Sequence, residues 1–248
     1  MSPAGFCVPG WPDVPERLHQ GQLELTLNLV IFDVDGTLID SQHMIVSAMN
    51  RAFADVGLVA PSREETLSIV GLSLETAMRA LVKEEPDAHA VPLTEAYKAA
   101  FFELRQSKEH HEPLFPGALQ VLDRLAARND VILGVATGKS RRGVQAIMDL
   151  HDLHGRFATI QTADDHPSKP HPSMVAAAMT ETGVLPHHTI MLGDTTYDME
   201  MARAAGARAV GVSWGYHAPE ALEVAGAETV LARFDDFDAL IGVVERVR

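Results

Sequence analysis

The apolar positions of this chain fall into two kinds of pattern, and the boundary between them organises the rest. Leu29-Val30-Ile31-Phe32 is an unbroken apolar run that stops at Asp33, with Asp35 and Gly36 immediately after. A short continuous run bounded by turn residues reads as a strand buried on both faces, as in a parallel sheet. Leu23, Leu25 and Leu27 alternate ahead of it, which lets the strand begin as early as residue 23. Beyond Asp40-Ser41 the period becomes helical, through Ile45, Ala48, Met49, Ala52, Phe53 and Val56, and Gly57 ends that helix. Further helical stretches are predicted over 63–69, 74–83 and 93–108, broken at Gly71, Pro86 and Pro92. About 70 residues thus pass without a strand signal, until Phe115-Pro116-Gly117 marks a turn.

From there the two periods alternate. A helix is predicted at 117–127, then the strand Val131-Ile132-Leu133-Gly134-Val135-Ala136 and a helix at 140–150. A short strand near 158–160, a helix at 172–182 and the strand Thr189-Ile190-Met191-Leu192 come next. A helix at 196–205, the strand Ala209-Val210-Gly211-Val212, a strand near 229–231 and a helix at 235–246 close the chain. Strands that alternate with helices predict an α/β fold, a Rossmann-like doubly wound parallel sheet. The expected organisation is a proline-rich tail at 1–22, a core formed by 23–40 and 115–248, and an inserted all-helical cap at 41–114.

Composition narrows the function classes. With 248 residues and 46% hydrophobic content, the chain can bury one large α/β core with a smaller insert. A net charge of −14 disfavours a nucleic-acid partner, which is bound through clustered Lys and Arg. The single cysteine, Cys7, excludes an intrachain disulfide and suits a reducing compartment. No apolar run approaches a membrane span, and the first 20 residues lack the basic and apolar regions of a secretory signal. The expectation is a cytoplasmic protein without a membrane partner; monomer and homodimer are both open.

In a doubly wound sheet ligands bind outside the carboxyl ends of the strands, so the residues just past each strand can be compared. Asp33 and Asp35 come after the first, and two carboxylates that close call for a cation or a shared proton. Thr137-Gly138-Lys139-Ser140 comes after the second and opens a helix, whose free N–H groups suit a phosphate. Lys139 is not the lysine of a phosphate-binding P-loop, because Gly134 and Gly138 have three residues between them instead of four. Ser168-Lys169-Pro170-His171-Pro172 is a stiff connection able to hold one ammonium in place. Gly193-Asp194 ends the next strand, with Asp198 about one helical turn on. Each piece also has a bland reading. Asp-Val-Asp-Gly-Thr makes a solvated turn, Thr137 and Asp194 make helix caps, and Lys169 makes a solvated lysine. Four carboxylates, a hydroxyl and a lysine along one sheet edge favour the joint reading.

In these four motifs, and over about residues 29–240, the chain resembles the haloacid dehalogenase-like hydrolase superfamily. The insertion looks like that superfamily's C1-type cap, and Leu38-Ile39-Asp40-Ser41, Ile69-Val70-Gly71 and Phe115-Pro116-Gly117 look most like its phosphoglycolate phosphatase-like branch. The resemblance implies that Asp33 attacks phosphorus and forms an aspartyl-phosphate, with Asp35 as general acid and base. It further implies that Thr137 and Gly138 hold the phosphoryl oxygens and that Lys169 neutralises charge on the phosphate and Asp33. Mg²⁺ would bind Asp33, the Asp35 backbone carbonyl and Asp194, supported by Asp198.

The implied function is a Mg²⁺-dependent phosphatase for a small phosphorylated metabolite, with 2-phosphoglycolate the first candidate and pyrophosphate or a sugar phosphate as rivals. A phosphomutase of the β-phosphoglucomutase type and a non-catalytic binding protein are the alternatives from other classes. Gly71-Leu72-Ser73, between predicted cap helices, is expected to point into the site and help to select the substrate, although a simple helix–helix turn fits nearly as well. The joints of the cap are expected near Ile39–Ser41 and Glu112–Pro116. The 12 histidines include the pairs His110-His111 and His187-His188, none with zinc-protease spacing; His217, after a predicted strand, is the one to watch.

Overall fold

The computed structural model describes residues 26–107 and 112–241. The expected tail at 1–22, the early strand residues Leu23 and Leu25, the pair His110-His111 and residues 242–246 of the last predicted helix lie outside them. Six strands, β1 (Asn28–Phe32), β2 (Val131–Thr137), β3 (Thr159–Thr162), β4 (Thr189–Gly193), β5 (Arg208–Val212) and β6 (Thr229–Leu231), form one sheet in the order β3-β2-β1-β4-β5-β6. Every pairing is parallel. β1 is central, between β2 and β4, so the chain winds outward to one side and returns on the other. That reversal opens a crevice at the carboxyl end of β1.

The alternation within β1 serves both faces of the sheet. Val30 and Phe32 pack with Val121, Leu125, Ile147 and Phe237 on one side; Leu29 and Ile31 pack with Met174, Val175 and Met199 on the other. All four of these strand side chains are fully buried. The flanking helices are α5 (Ala118–Ala126), α6 (Arg141–His151), α7 (Ser173–Thr182), α8 (Thr196–Ala204) and α9 (Pro219–Ala225).

Between β1 and β2 lie α1 (Gln42–Val56), α2 (Arg63–Ser68), α3 (Leu74–Leu81) and α4 (Pro86–Gln106). They have a core of their own around Met49, Phe53, Met78, Ala90 and Leu93. A short antiparallel clasp closes the base of this insertion: Ile39 bridges Leu114, Asp40 N–H donates to Pro113 O at 2.8 Å, and Phe115 N–H donates to Leu38 O at 2.9 Å. None of the described helices is long and apolar enough to cross a membrane.

The expected elements need five corrections. Pro86 begins α4 instead of breaking it, because a proline at the first helical position gives up no hydrogen bond. Pro92 lies inside the same helix, where the packing of Ala90, Leu93 and Ala100 outweighs the lost bond. The predicted helix at 235–246 is, within the described residues, a 3-10 turn over Phe234–Ala239 that buries Phe234 and Phe237. α9 is unexpected, although Pro219 at its start and Gly226 past its end are ordinary boundary signals. Leu27, the last leucine of the expected alternation ahead of the strand, is exposed and precedes it.

Candidate active site

The carboxyl ends of β1, β2 and β4 and the β3–α7 connection converge on one crevice, and each brings a polar side chain to it. Asp33 is the first residue past β1, tied to the neighbouring strand by its N–H to Leu192 O at 2.9 Å. Its side chain is 1% exposed, and neither carboxylate oxygen has a hydrogen-bond partner among the described residues. Lys169 Nζ stands 3.0 Å from Asp33 Oδ1, an ion pair without directed geometry, and donates to Asp198 Oδ1 at 2.6 Å. Lys169 is one of the largest fully buried side chains.

Burial pushes the Asp33 carboxyl up to about 6; the Lys169 charge pulls it down and the Asp198 charge raises it further. Burial alone would lower the Lys169 ammonium, but Asp198 and Asp33 together hold it above the ordinary lysine value. Asp198 is the N3 residue of α8. Its Oδ2 accepts from Thr195 N–H at 3.1 Å and from Thr195 Oγ1 at 2.7 Å in a capping box. Helix start and lysine therefore share one carboxylate.

Asp194, directly after β4, is fully buried. Its Oδ1 accepts from Thr37 Oγ1 at 2.9 Å and its Oδ2 from Tyr216 N–H at 2.9 Å. Burial, then the charges of Asp198 and Asp33, raise its carboxyl well above the usual range. Two glycines make room for it: a Cβ on Gly36 would come within 2.2 Å of Asp194 Oδ2, and one on Gly215 within 2.1 Å of its Cβ. Ligand oxygens of Asp33, Asp194 and Asp198 lie within 4.8 Å of one another. Three buried carboxylates facing one ammonium leave negative charge uncompensated, and beyond its ion pair with Lys169 Asp33 has both oxygens free of hydrogen bonds. The donor set is all oxygen, which fits a hard divalent cation. Both Asp198 oxygens are committed to Lys169 and Thr195, and both Asp194 oxygens to Thr37 and Tyr216, so of the three Asp33 alone has oxygens free of hydrogen bonds.

Asp35 lies one turn of chain beyond Asp33, where Gly36 at φ +86° lets the backbone curl back and its N–H reach Ile39 O at 2.9 Å. Ser41 Oγ donates to Asp35 Oδ1 at 2.6 Å, and Lys139 Nζ donates to both oxygens. Thr137, the last residue of β2, is buried and accepts from Lys139 N–H at 3.3 Å. The cap of α6 is Ser140, not Thr137. Gly138 carries no Cβ because the loop before α3 rests on it: a Cβ there would meet Gly71 O at 2.4 Å and Leu72 O at 2.7 Å. Ser73 N–H donates to Ser168 Oγ at 2.8 Å, so Gly71-Leu72-Ser73 is brought against the sheet edge. A cavity of about 630 Å³ runs between insertion and sheet, with Asp33, Asp35, Thr137 and Gly138 among its lining.

The sequence profile of the haloacid dehalogenase-like hydrolases matches residues 30–212, which contain every residue of this crevice except Gly215 and Tyr216. The chain belongs to this family. A probable phosphatase of Dickeya dadantii, IndB, is 35% identical over 86% of this chain and 92% of its own length. The pyrophosphatase PpaX of Bacillus pumilus is 32% identical over 88% of this chain and 98% of its own. The phosphoglycolate phosphatase of Pectobacterium atrosepticum is 31% identical over 85% and 91%. This hydrolase is a phosphatase.

Three features of the phosphatase are not read from the sequence. The spacing of its glycines says only that Lys139 is no P-loop lysine, yet its side chain crosses to Asp35. A Cβ on Gly143 would meet Lys139 Cγ at 2.6 Å, so that glycine leaves the path open. Buried Glu112 pairs with Arg105 at 2.7 Å, and Glu112 Oε1 stands 3.7 Å from Lys139 Nζ. His217 is not a metal ligand. Its Nδ1 accepts from Thr196 N–H at 3.1 Å, which leaves Nε2 to donate to Ser68 O at 3.2 Å, and burial lowers its pKa. It fastens the end of α2 to the start of α8.

Proposed function

We propose that this phosphatase hydrolyses a small phosphorylated metabolite through an aspartyl-phosphate, with Mg²⁺ as its cofactor. The observation that carries the reading is Asp33, buried at the floor of the cavity with both oxygens free of hydrogen bonds and Lys169 3.0 Å away. An Asp33 oxygen attacks phosphorus, the bond to the ester oxygen breaks, and Asp35 gives that oxygen its proton. In the second half Asp35 takes a proton from water as the water attacks phosphorus, and the bond to Asp33 breaks to release inorganic phosphate. Thr137 and the Gly138 N–H hold the phosphoryl oxygens, and Lys169 keeps positive charge beside them throughout.

Asp33, Asp194 and the Asp35 backbone carbonyl would hold Mg²⁺, with Asp198 fixing Lys169 beside them; the bound ion supplies charge neutralisation at the phosphoryl group. 2-Phosphoglycolate is the first candidate substrate by likeness to the relatives, and pyrophosphate the next. The test is phosphate release from a panel containing both, with Mg²⁺ and with EDTA. Release that needs Mg²⁺ and is lost in Asp33→Asn supports the proposal; undiminished release in EDTA overturns its metal, and release retained by Asp33→Asn overturns its nucleophile.

A further inference from the structure

Ser41 stands at the N-cap of α1, where a serine hydroxyl ordinarily accepts from a helix N–H, as those of Ser62 and Ser140 do at α2 and α6. Ser41 makes no such bond. It is fully buried, and its hydroxyl donates instead to Asp35 Oδ1 at 2.6 Å. The Tyr216 hydroxyl lies 3.1 Å from the same Ser41 Oγ. A serine hydroxyl has one proton, and here it is spent on Asp35, so the phenol is the donor and Ser41 the acceptor. Tyr216, Ser41 and Asp35 thus form one directed chain. At its end Asp35 Oδ1 takes Ser41 and Lys139, and Oδ2 takes Lys139 alone among the described residues. That leaves Oδ2 as the oxygen that gives and takes the proton.

Tyr216 is held in place by a loop of the sheet domain, just past β5. Trp214 Nε1 donates to Thr37 O at 3.1 Å, and its ring centroid lies 4.6 Å from that of Phe234. His217 N–H donates to Asp194 O at 3.3 Å. Between these two anchors the Tyr216 N–H donates to Asp194 Oδ2 at 2.9 Å. The Tyr216 ring packs with Ile45, Leu67 and Val70 of the insertion. A phenylalanine would fill that place equally well, so packing explains the ring and leaves the hydroxyl unexplained. Through its N–H and its hydroxyl, one residue spans from Asp194 beyond β4 to Asp35 beyond β1.

We propose that Tyr216 is a positioning residue for the general acid of this phosphatase: its hydroxyl, acting through Ser41, holds Asp35 in the rotamer from which Oδ2 reaches the leaving oxygen. The inference rests on the phosphatase reading above and adds to it a residue that acts only through others. In the first half of the reaction a proton moves from Asp35 Oδ2 to the ester oxygen as the bond from that oxygen to phosphorus breaks. Tyr216 and Ser41 keep their own protons, and only the placement of Oδ2 depends on them. Loss of the chain therefore slows departure of an alkoxide, which needs the proton, far more than departure of a nitrophenolate, which is stable as the anion.

The experiment measures Mg²⁺-dependent kcat/KM on p-nitrophenyl phosphate and on 2-phosphoglycolate, glycerol 2-phosphate and glucose 6-phosphate, the fastest of the last three serving as the alkyl substrate. This ratio covers the steps up to the phosphoenzyme, so it reads the proton donation. Tyr216→Phe keeps the ring and the N–H. In it kcat/KM is expected to fall about tenfold on the alkyl substrate and less than about twofold on p-nitrophenyl phosphate. Ser41→Ala shows the same selectivity, and adding Tyr216→Phe to it costs nothing further, because the phenol then has no hydroxyl to act through. Equal falls on both substrates, no fall on either, or a double variant that loses the product of the two single effects overturns the inference and leaves the phosphatase standing. No release by the wild type from any of the esters removes the phosphatase reading itself.

Discussion

Lys139 Nζ lies 2.9 and 2.8 Å from the two carboxylate oxygens of Asp35, so a single ammonium spans the whole group. Ser41 Oγ adds a third donor, and the Phe101 ring covers the ammonium from the side of the insertion. Asp35 is thus oriented by residues from three segments of chain. Replacing Lys139 by methionine keeps the bulk of the side chain and removes that orientation. The expected outcome is a fall in kcat of about 10²-fold with little change in KM. Steady-state phosphate release checks it, and an unchanged kcat would show that Ser41 alone suffices.

Asp33→Asn should separate activity from stability. The substitution removes the attacking oxygen, and turnover should fall by more than about 10⁴-fold. It also removes a buried carboxyl whose pKa is raised to about 6, so near neutral pH the metal-free variant should be more stable than wild type by about 3 kcal/mol. Urea melts in EDTA measure the second effect, and a loss of stability would mean that Lys169 needs the Asp33 charge more than burial opposes it.

The pH dependence of the metal-free protein has its origin in the same groups. Asp33 and Asp194 both hold their protons to higher pH folded than unfolded. Between the ordinary carboxylate range and about 6 the folded state therefore binds more protons, and the contribution of these two groups to stability falls as pH rises through that window. A divalent cation binds the deprotonated carboxylates, so the gain in thermal midpoint from saturating Mg²⁺ should grow from about pH 5 to about pH 7.5. Paired melts at the two pH values test this; an equal gain at both would place the ion elsewhere.

Gly36→Ala meets two obstacles at once. The residue sits at φ +86°, and its Cβ would fall 2.2 Å from Asp194 Oδ2. A cost of at least about 2 kcal/mol is expected, together with weaker Mg²⁺ binding because Asp194 must move. Denaturant melts and a calorimetric Mg²⁺ titration read the two effects separately.

Gly138→Ala acts on the insertion instead. Its Cβ would meet the backbone oxygens of Gly71 and Leu72, which cannot rotate away, so the loop must lift from the sheet edge. KM should rise about tenfold, with a loss of stability of about 1 kcal/mol as the packing of Leu72 against the core of the insertion loosens. An unaltered KM would mean that the loop settles equally well at a distance.

Much of this arrangement is legible in the sequence because strand ends are legible. Asp33, Thr137 and Asp194 each interrupt or end a buried apolar run, and a parallel sheet brings such ends to one edge. Lys169 is marked by the proline beside it. Lys139 is not marked, because a lysine that crosses to another strand end leaves no periodic trace; only Gly143 hints at the path. Thr94, Tyr97 and Arg105, which line the cavity from α4, are hidden for a different reason: a helical stripe that lines a cavity has the same spacing as one that packs a core. Pro92 misleads because local propensity argues for a break that tertiary packing overrides.

Through the clasp of Ile39–Asp40 against Pro113–Leu114, the insertion leaves and re-enters the sheet domain at nearly one point, since antiparallel partners lie only about 5 Å apart. A two-residue hairpin turn spans such a gap. Everything from Ser41 to Glu112 could therefore be exchanged for another helical unit with the strand order untouched. The replacement must bring its own partner for Asp35, since Ser41 leaves with the segment while Lys139 stays behind. The wall that the insertion gives to the cavity is, in that sense, a detachable module.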